Sequence, residues 1–528
     1  MTQGFAAFRS GLMAWPELDY GFWLDLSRAR LPQMDATLEQ RLVAALQASK
    51  ELEAGALANP DEQRQVGHYW LRRPTLAPSP EQTHAILSTQ RAIQEFVQRV
   101  HRGDLRGPGG AYEEVLCIGI GGSALGPQLL ADALGSARDR LRFHFLDNTD
   151  PEGFDRTWAT LAGRLGKTLV LVMSKSGGTP EPRNALREAE HHWRAAGLEL
   201  GPQAVAVTGE GSALDREAVA KNFLARFPMW DWIGGRTSIM GPVGLLPAAL
   251  QGLDTEALLA GAAEMDDLTR ATELARNPAA QLARAWWHLT EGKAKRAMVV
   301  LPYKDRLVLL SRYLQQLIME SLGKSHDLRG REVHQGLTVY GNKGSTDQHA
   351  YIQQLRDGPD DFFAFFIEVL RDREGPSMEV EPGITSGDYL QAFLLGTRDA
   401  LAAQGKASLT LTLAAVDARA LGRTLALFER AVGLYANLLG INAYHQPGVE
   451  AGKKAAGEVL HILTASLKVL AQKPTVWMTA PELAREIGLE GAGETVFKTC
   501  LRLARNGRLA CNPHADPDLT RFQHRSHP

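Results

Sequence analysis

The stretch "EEVLCIGIGGSALGPQLLADAL", residues 113–134, decides the fold. Apolar residues run unbroken from Val115 to Ile118, glycine then occupies Gly119, Gly121 and Gly122, and helical spacing of apolar residues begins after Ser123. Such a passage reads as a buried strand, a tight turn and a helix. The same order returns in "KTLVLVMSKSGGTPEPRNAL", residues 167–186, while "LRFHFLDN" (141–148) and "QAVAVTG" (203–209) add short apolar runs between helical stretches. Strands rich in Val, Ile and Leu that alternate with helices predict a parallel sheet covered on both faces.

Outward from this block the chain changes character twice. Residues 1–105 read as a helical lead-in, with apolar residues at helical spacing in "TLEQRLVAALQASKELEAGAL" (37–57) and "EQTHAILSTQRAIQEFVQRVHRG" (81–103). After a helical stretch at 255–290, a second alternation offers the strands "RAMVVLPY" (296–303), "LTVYGN" (337–342), "FFAFFIEVL" (362–370) and "SLTLTLAAV" (408–416), closed by long helices over about 421–471. The reading is an α/β protein with two three-layer α/β/α domains, 106–265 and 266–473, and a small extension at 474–528. In that extension "TAPELAREIGLEGAGETVFKTCLRLARNGRLACNP" (479–513) has a helix-turn-helix or winged-helix pattern, which small helical additions also produce without touching DNA. The terminal "HRSHP" (524–528) reads as a mobile end rather than a metal site.

Composition narrows the function. Lys plus Arg number 58 against 60 Asp plus Glu, a net charge of −2, so nothing favours a general nucleic-acid surface, although a small anion can still meet a local positive cluster. Cys117, Cys500 and Cys511 are scattered without metal or disulfide spacing, as expected of a reduced intracellular chain. The N-terminus "MTQGFAAFRSGLMAW" lacks a signal core, and no run approaches the ~18 apolar residues of a membrane span. A cytoplasmic protein is expected.

Five stretches carry chemistry. The Gly119–Ser123 turn exposes amides at a helix start and suits an anion, though a dinucleotide-binding turn or a plain strand–helix turn has the same local pattern. In "SKSGGT", the hydroxyls of Ser174, Ser176 and Thr179 match the acceptor-only oxygens of a phosphate monoester; Lys175 is either a ligand contact or a solvated charge. The Walker spacing is absent, so no nucleotide or magnesium is called for. "GGRTS" sets Arg236 beside a glycine turn, and its permanent charge suits a developing oxyanion, a salt bridge or a solvated surface. Gln316 and Glu320 lie four residues apart on one face of an expected helix; their apolar neighbours would partly desolvate the carboxylate and make Glu320 a candidate general base. His349 sits in the polar loop "GNKGSTDQHAY", where a lone histidine is more often structural, and "HQPGVEAGKK" opens a helix with Gln446 before it and Lys453 and Lys454 near its start, an unfavourable place for cations.

Taken together, "IGIGGSALGP", "SKSGGTPE", "GGRTS", "MESLGK", "KGSTDQHAY" and "HQPGVEAGKK" occur in an order that resembles the phosphoglucose isomerase, or glucose-6-phosphate isomerase, family over about residues 117–455. "SKSGGTPEP" in place of "SKTFTTQET", and "GNKGSTDQH" in place of "GEPGTNGQH", resemble a bacterial-type subgroup. The resemblance implies two sugar-isomerase-type domains, a homodimer with sites where domains and subunits meet, and reversible isomerisation of glucose 6-phosphate and fructose 6-phosphate through a cis-enediol, without cofactor or metal. It makes Gly122, Ser123, Ser174, Lys175, Ser176 and Thr179 contacts to the sugar and its phosphate, with Gln316 and Gln446 holding substrate. Arg236 would stabilise the intermediate and Glu320 would move the proton, while Lys453, and His349 from the other subunit, would assist ring opening. His445 stands where an acidic or amide residue is usual. Two other readings share part of the pattern, a sugar-phosphate-binding regulator with a DNA- or protein-binding tail and a dual glucose/mannose phosphate isomerase. The resemblance does not reach the tail beyond residue 474.

Overall fold

The computed structural model describes residues 4–18 and 21–525. The side chains of Val449, Glu450, Ala451 and Lys453, and His527 of the terminal "HRSHP", lie outside the described residues. The chain forms two compact units, Met1–His445 and Gln446–Pro528.

Among the described residues the first unit holds two large sheets and three two-stranded ribbons. The strands of the large sheets are β1 (Leu12–Ala14), β2 (Phe22–Asp25), β3 (Glu114–Ile118), β4 (Arg142–Leu146), β5 (Thr168–Met173), β6 (Ala204–Thr208), β7 (Ala225–Pro228), β8 (Ala297–Pro302), β9 (Val339–Tyr340), β10 (Phe362–Val369) and β11 (Ser408–Leu413). The first sheet runs β4-β3-β5-β6-β7, every pair parallel. Residues of β3, β5 and β6 are all buried, because helices cover both faces. Alternate residues serve the two sides: Val115, Cys117, Leu169 and Leu171 enter the main core, and Leu116, Ile118, Val170 and Val172 enter a second apolar cluster.

The second sheet runs β1-β2-β11-β10-β8-β9. Strands β8 to β11 pair in parallel, as the sequence implies. The N-terminal layer carries the expected helices, Ala36–Glu53 and Pro80–His101, and adds two strands that periodicity did not reveal. β2 pairs antiparallel with β11, placing Leu24 beside Leu411, and β1 pairs antiparallel with β2. A four-residue run is too short to show its period, and only the open edge of β11 selects strand for it.

Charge also ties the N-terminal layer to the core. Asp266, on helix Thr255–Thr269, accepts from Arg72 Nε at 2.6 Å and Nη2 at 2.9 Å and from Arg430 Nε at 2.8 Å. Arg72 also meets Glu429, and Arg430 also meets Glu53. Burial pushes the Asp266 carboxyl upward, but Arg430 and Arg72 overcome it and hold the group far below the usual carboxylate range.

In the second unit, helix Pro447–Gln472 is followed by strand Met478–Thr479, helices Ala480–Glu486 and Gly493–Arg505, and strands Leu509–Asn512 and Arg521–His524. The three strands form an antiparallel sheet with Arg521–His524 in the middle. Leu470, Met478, Leu483, Val496, Cys500, Leu503 and Phe522 make its core. Thr479 and Glu482 close a capping box at the start of Ala480–Glu486.

Candidate active site

In the first sheet the chain leaves β3 toward β4 on one side and β5 toward β6 on the other, so the loops after β3 and β5 border a crevice at the carboxyl ends of the strands. These loops are Gly119–Gly122, which enters helix Gly122–Leu134, and Ser174–Thr179, which enters helix Pro180–Ala195. Neither helix start has a side-chain cap, which leaves its amides to meet an anion. Ser174 Oγ accepts from the Gly177 amide and Ser176 Oγ from the Gly178 amide, both at 3.2 Å, so each hydroxyl braces the curve and keeps its own hydrogen to donate. Gly177 has φ +68°, and a Cβ there would lie 2.2 Å from the Leu214 nitrogen. Only glycine fits this position.

Lys175, which sequence left open between a ligand contact and a solvated charge, braces the loop from below. Its Nζ donates to the carbonyls of Asp231 at 3.0 Å and Ile233 at 3.1 Å. Burial depresses its pKa, Arg64 adds to the effect, and Asp231 opposes it. The phosphate-type loop is thereby fastened to the segment that leads into Arg236. The same segment touches the first glycine turn: a Cβ on Gly122 would lie 1.9 Å from the Gly235 carbonyl oxygen, and Ser238 Oγ donates to Gly235 O at 2.7 Å. Ser123 is buried one residue further on.

Arg236 is buried, with 7% exposure, and among the described residues no carboxylate pairs with it. Its Nη1 donates to Ser321 Oγ at 2.9 Å and to the Ala443 carbonyl at 2.7 Å, and its Nη2 to the His445 carbonyl at 3.2 Å. Burial lowers its pKa, and Glu320 is the acid that most opposes this. A desolvated guanidinium without an anion partner is suited to charge that arises elsewhere in the site. The unusual His445 does not disturb it, because the contact uses the backbone; the imidazole stands 3.8 Å from Asp61 instead.

Glu320 and Gln316 lie where an α-helix was expected, but the winding differs. Helix Leu310–Leu314 widens into a π-helix over Gln315–Glu320. Gln316 reaches the first glycine turn, its Nε2 being 2.9 Å from where a Cβ on Gly121 would stand. The carbonyls of Glu320 and Ser321, at the end of the helix, accept from the buried Lys324 Nζ at 2.8 Å each. An ammonium thus satisfies acceptors that the helix end leaves open. Lys324 and Ser321 were missed in the sequence. Their signal was present in "MESLGK", where Lys324 follows Glu320 by four residues and returns to its carbonyl.

Burial pulls the Lys324 pKa down to about 8, with Arg236 adding and Glu320 opposing, and the Lys324 charge in turn helps to lower the His445 pKa. Lys324→Met is expected to lower kcat by about 10²-fold through misplacement of Glu320, with a much smaller change in KM. Lys324→Arg keeps a positive charge, so its kcat should persist above the pH of about 8 at which the natural ammonium is lost. A pH–rate profile of the two variants and the parent checks both expectations.

The remaining residues stand apart. His349 is exposed at the end of the turn Thr346–His349, whose loop is organised by buried Asp347 accepting from the Asn342 amide at 3.0 Å. No contact joins His349 to Glu320 or Arg236 among the described residues. Gln446 belongs to the second unit and is the N-cap residue of Pro447–Gln472, while the Lys453 side chain lies outside the described residues.

The sequence model of the family described as phosphoglucose isomerase matches residues 27–395 and 400–476. The glucose-6-phosphate isomerase of Geobacter sulfurreducens is 56% identical over 508 residues, 96% of this chain and 96% of that protein. The glucose-6-phosphate isomerase of Synechococcus elongatus is 56% identical over 489 residues, 92% of each chain. Among solved structures, a glucose-6-phosphate isomerase from Chlamydia trachomatis superposes with a TM-score of 0.77 at 26% identity, covering 87% of this chain and 91% of that one.

Proposed function

The chain belongs to the phosphoglucose isomerase family and interconverts D-glucose 6-phosphate and D-fructose 6-phosphate, and from that premise we propose that Glu320 is the group that moves the proton. The observation that carries this reading is the convergence of the Glu320 turn, Arg236 and both glycine-rich loops through Ser321, Gly235 and Lys175. With the phosphate held by Ser174, Ser176, Thr179 and the helix-start amides, C1 and C2 of the opened sugar meet the carboxylate. Glu320 takes the proton from C2, the electron pair forms the C1–C2 double bond, and the carbonyl oxygen on C1 gains a proton to give a cis-enediol. Return of the proton to C1, as the hydroxyl on C2 becomes the carbonyl, yields the ketose. Arg236 stabilises the negative charge on the enediol oxygens in transit. Gly122, Ser123, Gln316 and Gln446 orient the sugar, and Lys453 assists ring opening.

His349 acts in this reading from the partner subunit of a homodimer. Its exposure on a turn held rigid by Asp347 supports delivery to a second copy rather than to its own Glu320. Among the described residues no helix is long and apolar enough to cross a membrane, and the reading places the enzyme in the cytoplasm, acting in glycolysis and gluconeogenesis. A mixing experiment tests the arrangement. Glu320→Gln and His349→Ala are each expected to be nearly inactive, and refolding them together should restore about a quarter of wild-type activity, since half of the dimers are hybrids with one intact site. If mixing restores nothing, His349 serves its own subunit.

A further inference from the structure

The two sheets share a strand order that their sequences do not announce. In chain order the first sheet reads second, first, third, fourth and fifth strand, and the parallel part of the other sheet, β9-β8-β10-β11, likewise reads second, first, third, fourth. Topologically β8 matches β3 and β10 matches β5. The loops after β8 and β10 therefore border a crevice equivalent to the one formed by Gly119–Gly122 and Ser174–Thr179. A cavity of about 720 Å³ lies at that position, lined by Lys304 and Arg306 after β8 and by Arg371 and Arg373 after β10. Arg138 and Arg140, after helix Gly122–Leu134, line it as well, and it shares no lining residue with the surroundings of Arg236.

The acids around this cleft are committed locally. Asp254 and Asp417 cap helices through the amides of Ala257 and Ala420, Asp139 accepts from Gln251 and the Ser136 amide, and Glu374 pairs with Arg138. Asp372 is the exception: its carboxylate lies against Gly387, and its charge acts on Lys304. The bases are not balanced in the same way. Among the described residues Arg140, Arg306, Arg371 and Arg373 make no ion pair, while Lys304 spends its hydrogen bonds on the carbonyls of Arg371 and Asp372 and so locks the two loops together. Burial first, and then the like charges of Arg306, Arg371 and Arg373, depress the Lys304 pKa against the pull of Asp372. The N-terminus of helix Ala418–Leu439 opens on the same cleft.

We propose that this cleft, at the strand-order reversal of the second sheet, binds a small molecule carrying two phosphoryl groups. Its four unpaired guanidinium groups match the charge of two phosphates, and planar forks of donors are the groups that bind phosphate oxygens in pairs. The volume lies in the range of metabolite-sized pockets.

The test is calorimetric titration of inorganic pyrophosphate into the full-length chain, with saturating fructose 6-phosphate present to fill the Glu320 site. One equivalent should still bind per chain. Arg371→Ser combined with Arg373→Ser should weaken it by at least about tenfold while leaving kcat for the sugar phosphate unchanged, which also reports that the variant is folded. A sugar bisphosphate and a nucleoside diphosphate, titrated in parallel, separate the two sources of such a ligand, and tenfold-weakened binding of either in the double variant supports the site. No binding beyond the Glu320 site in the wild type, or undiminished binding in the double variant, overturns the proposal. Glu320→Gln should leave the pyrophosphate titration unaltered, so failure of the cleft and failure of the catalytic reading are read from different variants.

Discussion

Replacement of Glu320 by Gln is expected to lower kcat by about 10³- to 10⁴-fold, near the upper range for removal of a general acid–base group. The amide matches the carboxylate in shape but cannot accept the C2 proton. Binding should survive, because Lys324 holds the backbone at position 320 and the proposed phosphate grip of the Ser174–Thr179 loop does not need the carboxylate. The measurement is kcat with fructose 6-phosphate together with the dissociation constant of a non-reacting six-carbon sugar phosphate. Loss of kcat with little change in affinity is the expected pair of results; near-normal turnover would remove Glu320 from the proton path.

Asp266→Asn is expected to cost about 3–5 kcal/mol of stability, the range found when one member of a buried ion pair is removed. Two guanidiniums, on Arg72 and Arg430, would lose their shared carboxylate in a fully buried place. The sign of the pH dependence follows from the depressed carboxyl of the folded state. Its stabilisation is fully present above the unfolded pKa of about 3.9 and is lost as pH falls through the lower folded value. Denaturant unfolding at neutral pH should show the full deficit in the variant, and the gap to wild type should narrow only under strong acid. A deficit below 1 kcal/mol at neutral pH would mean that Asp266 does not hold the N-terminal layer to the core.

The residue types of the candidate site can be read before the fold. Glycines followed by hydroxyl residues at strand ends, Arg236 beside its glycine turn and Glu320 among apolar neighbours each announce themselves by residue type at short range. The positioning groups did not. Ser321 and Lys324 matter through a bond to Arg236, 85 residues away in the chain for Ser321, and through carbonyls opened at a helix end, and neither contact has a local periodicity. Lys175 stays open in sequence between a ligand contact and a solvated charge, and only the fold brings its ammonium to the carbonyls of Asp231 and Ile233, on the segment that leads into Arg236. The β1–β2 addition was hidden for a related reason, since strands this short are selected by the edge they join.

By itself the sequence determined the α/β alternation, the order of the motifs and the chemical type of each candidate group, because glycine turns, apolar strand runs and charged or hydroxyl side chains are local properties of the chain. Tertiary structure alone decided that Gly122 packs on Gly235, that Arg236 is buried with no carboxylate partner among the described residues, that the Glu320 turn is a π-helix closed by Lys324, and that the second sheet repeats the strand order of the first. Those are contacts between segments far apart in sequence, and only close packing of the folded chain chooses among the partners that each residue could have met.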